Sequence, residues 1–326
     1  MSRISRRSVD PGSTAPESER DGAEAAPGTF SARLSIAVVW LIHLLPYPVV
    51  AALGTLVGWA LWPLARQRRK VALRNLELCF PAWSERQRRA VARQHFVFVA
   101  RAFLERGVLW YAGPERLRRI LHIEGAVDEA LDGTRPTLLL GFHFEGLDAG
   151  WTALSMVAPR PVSGMYTPQK NRVLDAWVVR RRSRFHTDSI VSRHDGASGM
   201  LRQLRRGVPF YTLPDMDFGA RHSRFVPFFG IPAATLDAAP RLAASSKARV
   251  YPVVTRILPG WRGYAIVVHP AWADFPTLDN GRARDVDADL LRMNRFIERQ
   301  ILGMPAQYHW VHKRFKTRPE GAPPLY

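Results

Sequence analysis

The sequence predicts an α/β fold with a mostly parallel central sheet flanked by helices, because short apolar runs alternate with segments of helical periodicity. The apolar runs typical of buried strands are residues 137–142, 208–213, 249–257 and 264–268. Helical patterns cover residues 84–112, 148–157, 174–179, 236–246 and 286–302. Strands that alternate with helices in this order pair in parallel, so we expect one sheet with helices on its faces.

The first predicted helix has a recognisable start. Ser84 is a good N-cap residue and Gln87 follows three positions later, which is the spacing of a capping box.

The chain before this helix divides into two parts. Residues 1–30 are rich in Ser, Gly, Pro, Ala, Arg and Glu without an apolar period, so we expect a disordered tail. A secretory signal is not expected, because acidic residues and Pro27 lie where its apolar core would be.

Residues 31–65 are expected to form a membrane segment, since residues 34–64 contain no Asp, Glu, Lys or Arg. As one helix, this run would measure roughly 45 Å, against a hydrocarbon core of roughly 30 Å. Pro46 and Pro48 divide it, so it either spans as a kinked helix or lies in one leaflet as two half-helices. A buried core hairpin is the alternative. Basic residues follow at once, which places the predicted domain of residues 66–326 in the cytoplasm if the segment spans.

The composition indicates a polyanionic partner. Lys and Arg total 47 against 28 Asp and Glu, giving a formal net charge of +19. Nucleic acid, an anionic membrane surface and acidic substrates or carriers all fit this charge, and arginine favours phosphate because it binds it bidentately. The single cysteine, Cys79, excludes a disulfide framework and cysteine-rich metal sites. Cys79 lies in an apolar run and is expected in the core.

A candidate catalytic pair lies in the segment Gly141-Phe142-His143-Phe144-Glu145-Gly146-Leu147-Asp148. His143 would end a strand, and open α/β sheets place their sites at the carboxyl ends of strands. Gly146 would let the chain turn so that Asp148 meets the imidazole. A carboxylate on one ring nitrogen fixes the tautomer and leaves the other nitrogen as a base. The structural alternative to this general base is a core histidine whose ring is hydrogen-bonded to a neighbouring group.

Other enzyme classes find partial or no support. The zinc deaminase pattern lacks its cysteines, and the chain contains no serine-hydrolase elbow, Walker loop or Rossmann glycine fingerprint. Asp215 and Asp217 form an Asp-x-Asp after a strand, which would suit a metal-dependent glycosyltransferase that binds a sugar nucleotide. A polar turn with both aspartates bonded to backbone amides is the structural alternative for this segment.

Basic side chains in three further segments are candidates for anion binding. Residues 180–184 carry four arginines at the end of a short helix, and an anion cradle competes there with a solvated helix face. The candidates for substrate binding are Arg182, Arg184, Arg193 and Arg224. Residues 225–229 are an aromatic patch, either an acyl groove or core. In residues 307–321, aromatic and basic residues interleave as at a membrane interface or on nucleic acid.

These features together resemble the late acyltransferases of lipid A biosynthesis, the lauroyl and myristoyl transferases within the glycerolipid acyltransferase superfamily. The resemblance is carried by residues 74–81, the motif from His143 to Asp148, residues 214–230 and residues 308–321. The last of these includes Arg-Phe-Lys-Thr-Arg-Pro-Glu-Gly, which is very specific to the family. The glycerolipid enzymes' Phe-Pro-Glu-Gly-Thr block is absent, and the segment from Asp215 to Gly219 stands in its place.

The resemblance implies an O-acyltransferase of glycerolipid acyltransferase-like fold at the cytoplasmic face of the bacterial inner membrane. The implied donor is acyl-acyl carrier protein and the implied acceptor a Kdo-bearing lipid A precursor, with another glycolipid or an aminolipid as alternatives. His143 and Asp148 fall on the family's His-x-x-x-x-(Asp or Glu) positions and would be catalytic. Asp215, Asp217 and the four arginines would contact substrate. No metal, cofactor or nucleic acid is expected to take part.

Overall fold

The computed structural model describes residues 29–186, 190–280 and 282–326. The predicted tail, residues 1–30, lies outside this range except for its last two residues. The strands, in chain order, are β1 (Leu121–Gly125), β2 (Thr137–Gly141), β3 (Ser163–Tyr166), β4 (Ile190–Ser192), β5 (Phe210–Thr212), β6 (Ser223–Phe228), β7 (Ile231–Leu236), β8 (Arg249–Ile257), β9 (Tyr264–Val268), β10 (Leu278–Asp279) and β11 (Arg282–Ala283).

Helices account for most of the remaining described chain. They are α1 (Thr29–Ile42), α2 (Tyr47–Leu64), α3 (Arg66–Cys79), α4 (Glu85–Tyr111), α5 (Pro114–Arg118), α6 (Val127–Leu131), α7 (Leu147–Val157), α8 (Arg172–Arg182), α9 (Gly196–Arg205), α10 (Ala238–Ser246) and α11 (Val286–Gly303). Three short 3₁₀ turns occur at Arg193–Asp195, Pro259–Trp261 and Pro305–Gln307.

Seven of the described strands form the central sheet, in the order β1-β9-β8-β2-β5-β3-β4. Neighbouring strands run parallel except β8 and β9, which are antiparallel because only residues 258–263 connect them and a parallel pair needs a longer crossover. The predicted mostly parallel sheet is therefore confirmed. β2 lies between β8 and β5, and all five of its residues are buried. The chain that leaves β2 thus emerges from the middle of the sheet.

The strongly patterned elements agree with the sequence prediction. β2, β8, β9, α7, α10 and α11 lie within two residues of their predicted bounds. The helix predicted at residues 84–112 is α4, and its capping box forms: Ser84 Oγ accepts from the Gln87 amide, and the Gln87 side chain accepts from the Ser84 amide. Helix α8 is longer than predicted, because Asn171 caps it and Arg180–Arg182 complete its last turn.

Strands β1, β3 and β4 were not predicted. They have three to five residues each, and β1 carries His122 and Glu124 on exposed positions. Such short runs give too little alternation to be told from loops. The aromatic patch at residues 225–229 belongs to the β6–β7 hairpin. Phe228 is buried against Tyr308 and Phe315, so this part of the patch is core.

The apolar N-terminal segment forms two helices, α1 and α2, with Pro46 between them. Helix α2 packs tightly on α4: a Cβ at Gly54 would lie 2.8 Å from the Arg101 Cα, and one at Gly58 only 2.4 Å from the Val97 Cα. The opposite surface of α1 and α2 is apolar and exposed, through Leu34, Val38, Leu41, Val49, Leu53, Leu56 and Trp59. By length and composition, α2 is the one described helix that could cross a membrane.

The C-terminal segment after α11 packs into the core. Tyr308, Trp310, Arg314 and Phe315 are almost fully buried. Asn75 on α3 donates to the carbonyls of Trp310 and His312, both at 2.7 Å, so the first motif of the family resemblance holds the last one in place. The aromatic and basic side chains at these positions therefore do not form the exposed membrane or nucleic-acid surface considered from the sequence. They stabilise the fold.

Candidate active site

His143 lies two residues beyond the carboxyl end of β2, as the sequence predicts. Gly141 closes the strand at a position where any side chain would collide with Tyr211 of the neighbouring β5, since an added Cβ would lie 2.4 Å from the Tyr211 hydroxyl. The chain then turns away from the sheet, and Gly146 precedes α7. The His143 side chain is 23% exposed, which leaves its ring open to solvent on one side.

Asp215, rather than Asp148, holds the imidazole. Asp215 Oδ1 lies 2.7 Å from His143 Nδ1, and Oδ2 accepts the His143 backbone N–H at 2.9 Å. Asp215 is fully buried, and although burial raises the pKa of its carboxyl, the charge and hydrogen bonds of His143 lower that pKa overall. With Nδ1 bonded to a carboxylate, Nε2 is the nitrogen left to act as a base.

The expected contact between His143 and Asp148 is not made. Asp148 enters the first turn of α7, and its two carboxylate oxygens accept hydrogen bonds from arginines instead. Arg182 donates to Oδ1 at 2.9 Å from Nη2, and Arg106 donates to Oδ2 at 2.5 Å from Nε. Burial raises the pKa of Asp148, but the two guanidinium groups outweigh it and bring that pKa to about 2. Asp148 is therefore a buried anion between two cations.

Tyr211 feels the charge of both clusters. Burial raises the pKa of this tyrosine, and the negative charges of Asp215 and Asp148 raise it further. Arg106 also lowers the pKa of Glu145, which places this arginine near the segment that carries His143. Arg106 was missed from the sequence, because a single arginine within the long helix α4 has no neighbouring motif to mark it.

Asp217 has a structural environment. It is buried, and its carboxylate accepts from the Thr317 hydroxyl and amide at 2.7 and 2.6 Å and from the Gly219 amide at 2.9 Å. Both aspartates of the Asp-x-Asp segment are thus bonded to protein donors, and their contact with substrate stays a prediction. The glycosyltransferase interpretation requires Asp215 and Asp217 to bind a metal. Their carboxylate oxygens instead accept hydrogen bonds from His143 and Thr317. Among the described residues, no group of three or more His, Cys, Asp or Glu could hold a metal ion.

The four candidate arginines separate into different environments. Arg182 pairs with Asp148 and keeps 25% of its side chain exposed. Arg184 donates to the carbonyls of Leu109 and Ala112 at the end of α4, so it caps that helix, and its role in phosphate binding stays a prediction. Arg193 is exposed and lies over the Phe218 ring, beside the segment of Asp215 and Asp217. Arg224 is exposed and lies 3.5 Å from Asp287 on α11.

The described site combines a histidine–aspartate pair with a second carboxylate between two arginines, at the carboxyl edge of a mostly parallel sheet. This arrangement can remove a proton from a hydroxyl and can bind an anion beside it. The fold and site together define an α/β protein with a candidate general base at the carboxyl edge of its sheet.

Comparisons with known proteins identify the family. A model of the bacterial lipid A biosynthesis acyltransferase family matches residues 19–317. A lipid A biosynthesis lauroyltransferase of Escherichia coli (strain K12) is 36% identical over 296 residues, covering 90% of this chain and 94% of the relative. A palmitoleoyltransferase and a myristoyltransferase of the same pathway and strain are each 31% identical, covering 89% and 93% of this chain and 92% of each relative. The chain belongs to the bacterial lipid A biosynthesis acyltransferase family, which confirms the resemblance seen in its motifs.

Proposed function

We propose that this protein transfers a fatty acyl group from acyl-acyl carrier protein to a hydroxyl of a Kdo-bearing lipid A precursor. Membership of the lipid A acyltransferase family supports acyl transfer as the general reaction. The observation that carries the mechanism is the 2.7 Å contact between His143 Nδ1 and Asp215 Oδ1 at the carboxyl edge of the sheet. Another glycolipid or an aminolipid is the alternative acceptor.

In the proposed reaction, His143 Nε2 removes the proton from the acceptor hydroxyl. We propose that this hydroxyl belongs to a 3-hydroxyacyl chain of the acceptor. The oxygen attacks the thioester carbonyl of the donor, and the thiol of the carrier leaves. Asp215 keeps Nδ1 protonated and stabilises the imidazolium that forms. Such proton transfer contributes about 10²- to 10⁴-fold in rate. The reaction proceeds without a covalent acyl-enzyme, a cofactor or a metal.

Asp148 takes a different role in this proposal from the one its spacing to His143 suggests. Its carboxylate fixes Arg106 and Arg182, both partly exposed, at the edge of the site. The Arg106 bond to Asp148 uses Nε, which leaves N–H groups of its terminal nitrogens as donors for an anion. We propose that these two arginines bind the phosphate of the acceptor. Arg193, beside Phe218, supplies a further cation at the rim.

The positive charge of the chain suits both proposed partners. A net charge of +19 favours an acidic carrier protein and an anionic membrane surface, which attract basic proteins over a distance of about 10 Å.

We place the protein at the inner membrane with residues 66–326 on the cytoplasmic face. The exposed apolar surface of α1 and α2 supports this placement, because leaving so many leucines in water is unfavourable. Nucleic acid is not among the proposed partners.

Membrane attachment is tested by extraction of the membrane fraction with carbonate at high pH. The protein should stay in the pellet, because the apolar side chains of α1 and α2 remain in hydrocarbon at any pH. Quantitative release into the supernatant would show that the attachment is only electrostatic and peripheral. A variant with Leu56→Glu and Trp59→Glu on the exposed face should shift toward the supernatant, since a charge within hydrocarbon is costly.

The proposed reaction is tested by single-turnover acyl transfer from acyl-acyl carrier protein to the lipid A precursor. His143→Ala should reduce the rate by about 10²- to 10⁴-fold, and Asp215→Asn should approach this loss because an amide can favour the wrong tautomer. His122→Ala is the matched control, since His122 is an exposed histidine on the edge strand β1. Circular dichroism checks folding. A well-folded His143→Ala enzyme that retains most of its activity would refute the mechanism.

A further inference from the structure

The C-terminal segment forms a short antiparallel ribbon with the segment that carries His143. The His309 amide donates to the His143 carbonyl at 2.9 Å, the Glu145 amide donates to the Gln307 carbonyl at 2.8 Å, and Phe144 is bridged to Tyr308 between them. Alternate side chains of such a ribbon point to opposite faces. Phe144 and Tyr308 therefore pack together in the core, while His143, Glu145 and His309 share the other face.

A second histidine–carboxylate pair results on this face. His309 Nδ1 lies 2.8 Å from Glu145 Oε1, and the centroid of the His309 ring lies 6.4 Å from that of His143. The Glu145 side chain is only 7% exposed, whereas that of His309 is 38% exposed. The two pairs have the same design: a buried carboxylate holds Nδ1, and the histidine side chain stays partly exposed.

The charges around His309 favour its protonated form. Burial lowers the pKa of His309, but the adjacent Glu145 and the nearby Asp215 raise it overall, against the opposing charge of Arg68 on α3. His95 on α4 does not compete for Glu145 as a cation, because burial lowers its pKa to about 4. His312 is likewise neutral at pH 7, with its pKa lowered to about 4 by burial and by the charges of His309 and His143.

We propose that His309 is the catalytic acid of the acyl transfer, with Glu145 as its positioning residue and His143 as the base opposite it. This inference rests on the function proposed above. His143 Nε2 takes the hydroxyl proton as the new C–O bond forms. As the tetrahedral intermediate collapses, the C–S bond breaks, its electron pair goes to sulfur, and the N–H at His309 Nε2 gives its proton to that sulfur.

The proton balance closes over one turnover. Each cycle leaves His143 protonated and His309 neutral, while the products are a neutral ester and a thiol. A proton passed from His143 to His309, or exchanged with solvent at both rings, restores the starting state. The two ring centroids are 6.4 Å apart, which is short enough for both imidazoles to reach one tetrahedral centre. His143 would then face the attacking oxygen, and His309 would face the leaving sulfur.

The test varies the leaving group while the acyl chain stays fixed. A thioester of thiophenol releases an acidic thiol that leaves without help, whereas a thioester of N-acetylcysteamine releases a more basic one. With a lipid A precursor as acceptor, His309→Gln should slow transfer from the N-acetylcysteamine ester by about 10- to 100-fold and from the thiophenol ester by less than about 3-fold. His122→Gln, the matched control, should leave both rates unchanged. Equal losses for both esters in His309→Gln would overturn the proposal.

A pH profile gives an independent readout. For the N-acetylcysteamine ester, kcat/KM should fall on the basic side as His309 loses its proton, and Glu145→Gln should move this fall to lower pH because it removes the charge that raises the pKa of His309. An unmoved profile in Glu145→Gln would also count against the proposal. If the wild-type enzyme transfers acyl groups from neither ester nor acyl carrier protein, the proposed function fails. If the wild type is active and His309→Gln shows no leaving-group dependence, only the present inference fails.

Discussion

Two buried carboxylates pair with arginines of the same helix, α4, and their surroundings differ. Glu105 accepts from Arg101 Nε at 2.8 Å, from the Tyr47 hydroxyl at 2.9 Å and from the Tyr264 hydroxyl. All four side chains are buried, so the cluster joins α2, α4 and β9 without access to solvent. Five residues along the helix from Arg101, Arg106 pairs with Asp148, but this arginine is 35% exposed.

The difference lies in what remains available after pairing. In the cluster of Glu105, the charges serve the fold alone, because its arginine is out of reach of any ligand. In the cluster of Asp148, the carboxylate is buried while Arg106 and Arg182 are partly exposed. The same pairing of charges thus stabilises the fold in one place and presents cations at the candidate active site in the other. Both clusters contain an ion pair, so the exposure of the arginines is what distinguishes the cluster of Asp148 from that of Glu105.

Glu105→Gln should have the largest effect on stability. The substitution leaves the Arg101 guanidinium buried without a counter-charge, and breaking a buried pair in this way costs about 3–5 kcal/mol. Urea unfolding of the detergent-solubilised protein, followed by circular dichroism, measures the loss. The double variant Arg101→Leu/Glu105→Leu should recover part of it, because no unpaired charge remains. A Glu105→Gln protein of wild-type stability would show that the cluster around Glu105 is hydrated and not closed.

The sequence predicts the parts of the site that depend on local pattern. The apolar run of β2 places His143 at a strand end, and Ser84 with Gln87 marks the start of α4. It cannot predict which carboxylate reaches the imidazole. Asp148 is five residues from His143 and Asp215 is 72 residues away, yet β2 and β5 are neighbours in the sheet and their carboxyl ends lie side by side. Strand order is decided by packing of the whole sheet, which no local spacing reports.

The arginines illustrate the same limit. Arg182 and Arg184 lie two residues apart and look alike in sequence, but one pairs with Asp148 at the site and the other caps α4. The last turn of α8 and the bend after it direct the two side chains to different neighbours. His309 and Glu145 also escape notice, since they are 164 residues apart and meet only because residues 307–309 pair with residues 143–145.

Asp148→Asn should have a smaller effect on stability than Glu105→Gln. Since the pKa of Asp148 is lowered to about 2 in the fold, its charged form stabilises the fold by about 2 kcal/mol at neutral pH. That contribution is complete above about pH 4, the ordinary pKa of the carboxyl, and disappears as the pH falls to about 2. The asparagine variant should lack this acid-dependent part of its unfolding free energy. Unfolding in urea at pH 7 and pH 3 measures the difference.

The effect of Asp148→Asn on activity distinguishes the two possible roles of this residue. If Asp148 only fixes Arg106 and Arg182, the variant should raise the acceptor KM by about 10-fold, the worth of one charge-assisted hydrogen bond, and lower kcat less. Asp215→Asn should do the reverse, because it acts on the base. The two variants share size, charge change and burial, so each is the control for the other. A kcat lowered as much by Asp148→Asn as by Asp215→Asn, with the acceptor KM unchanged, would return Asp148 to the catalytic pair that its five-residue spacing from His143 first suggested.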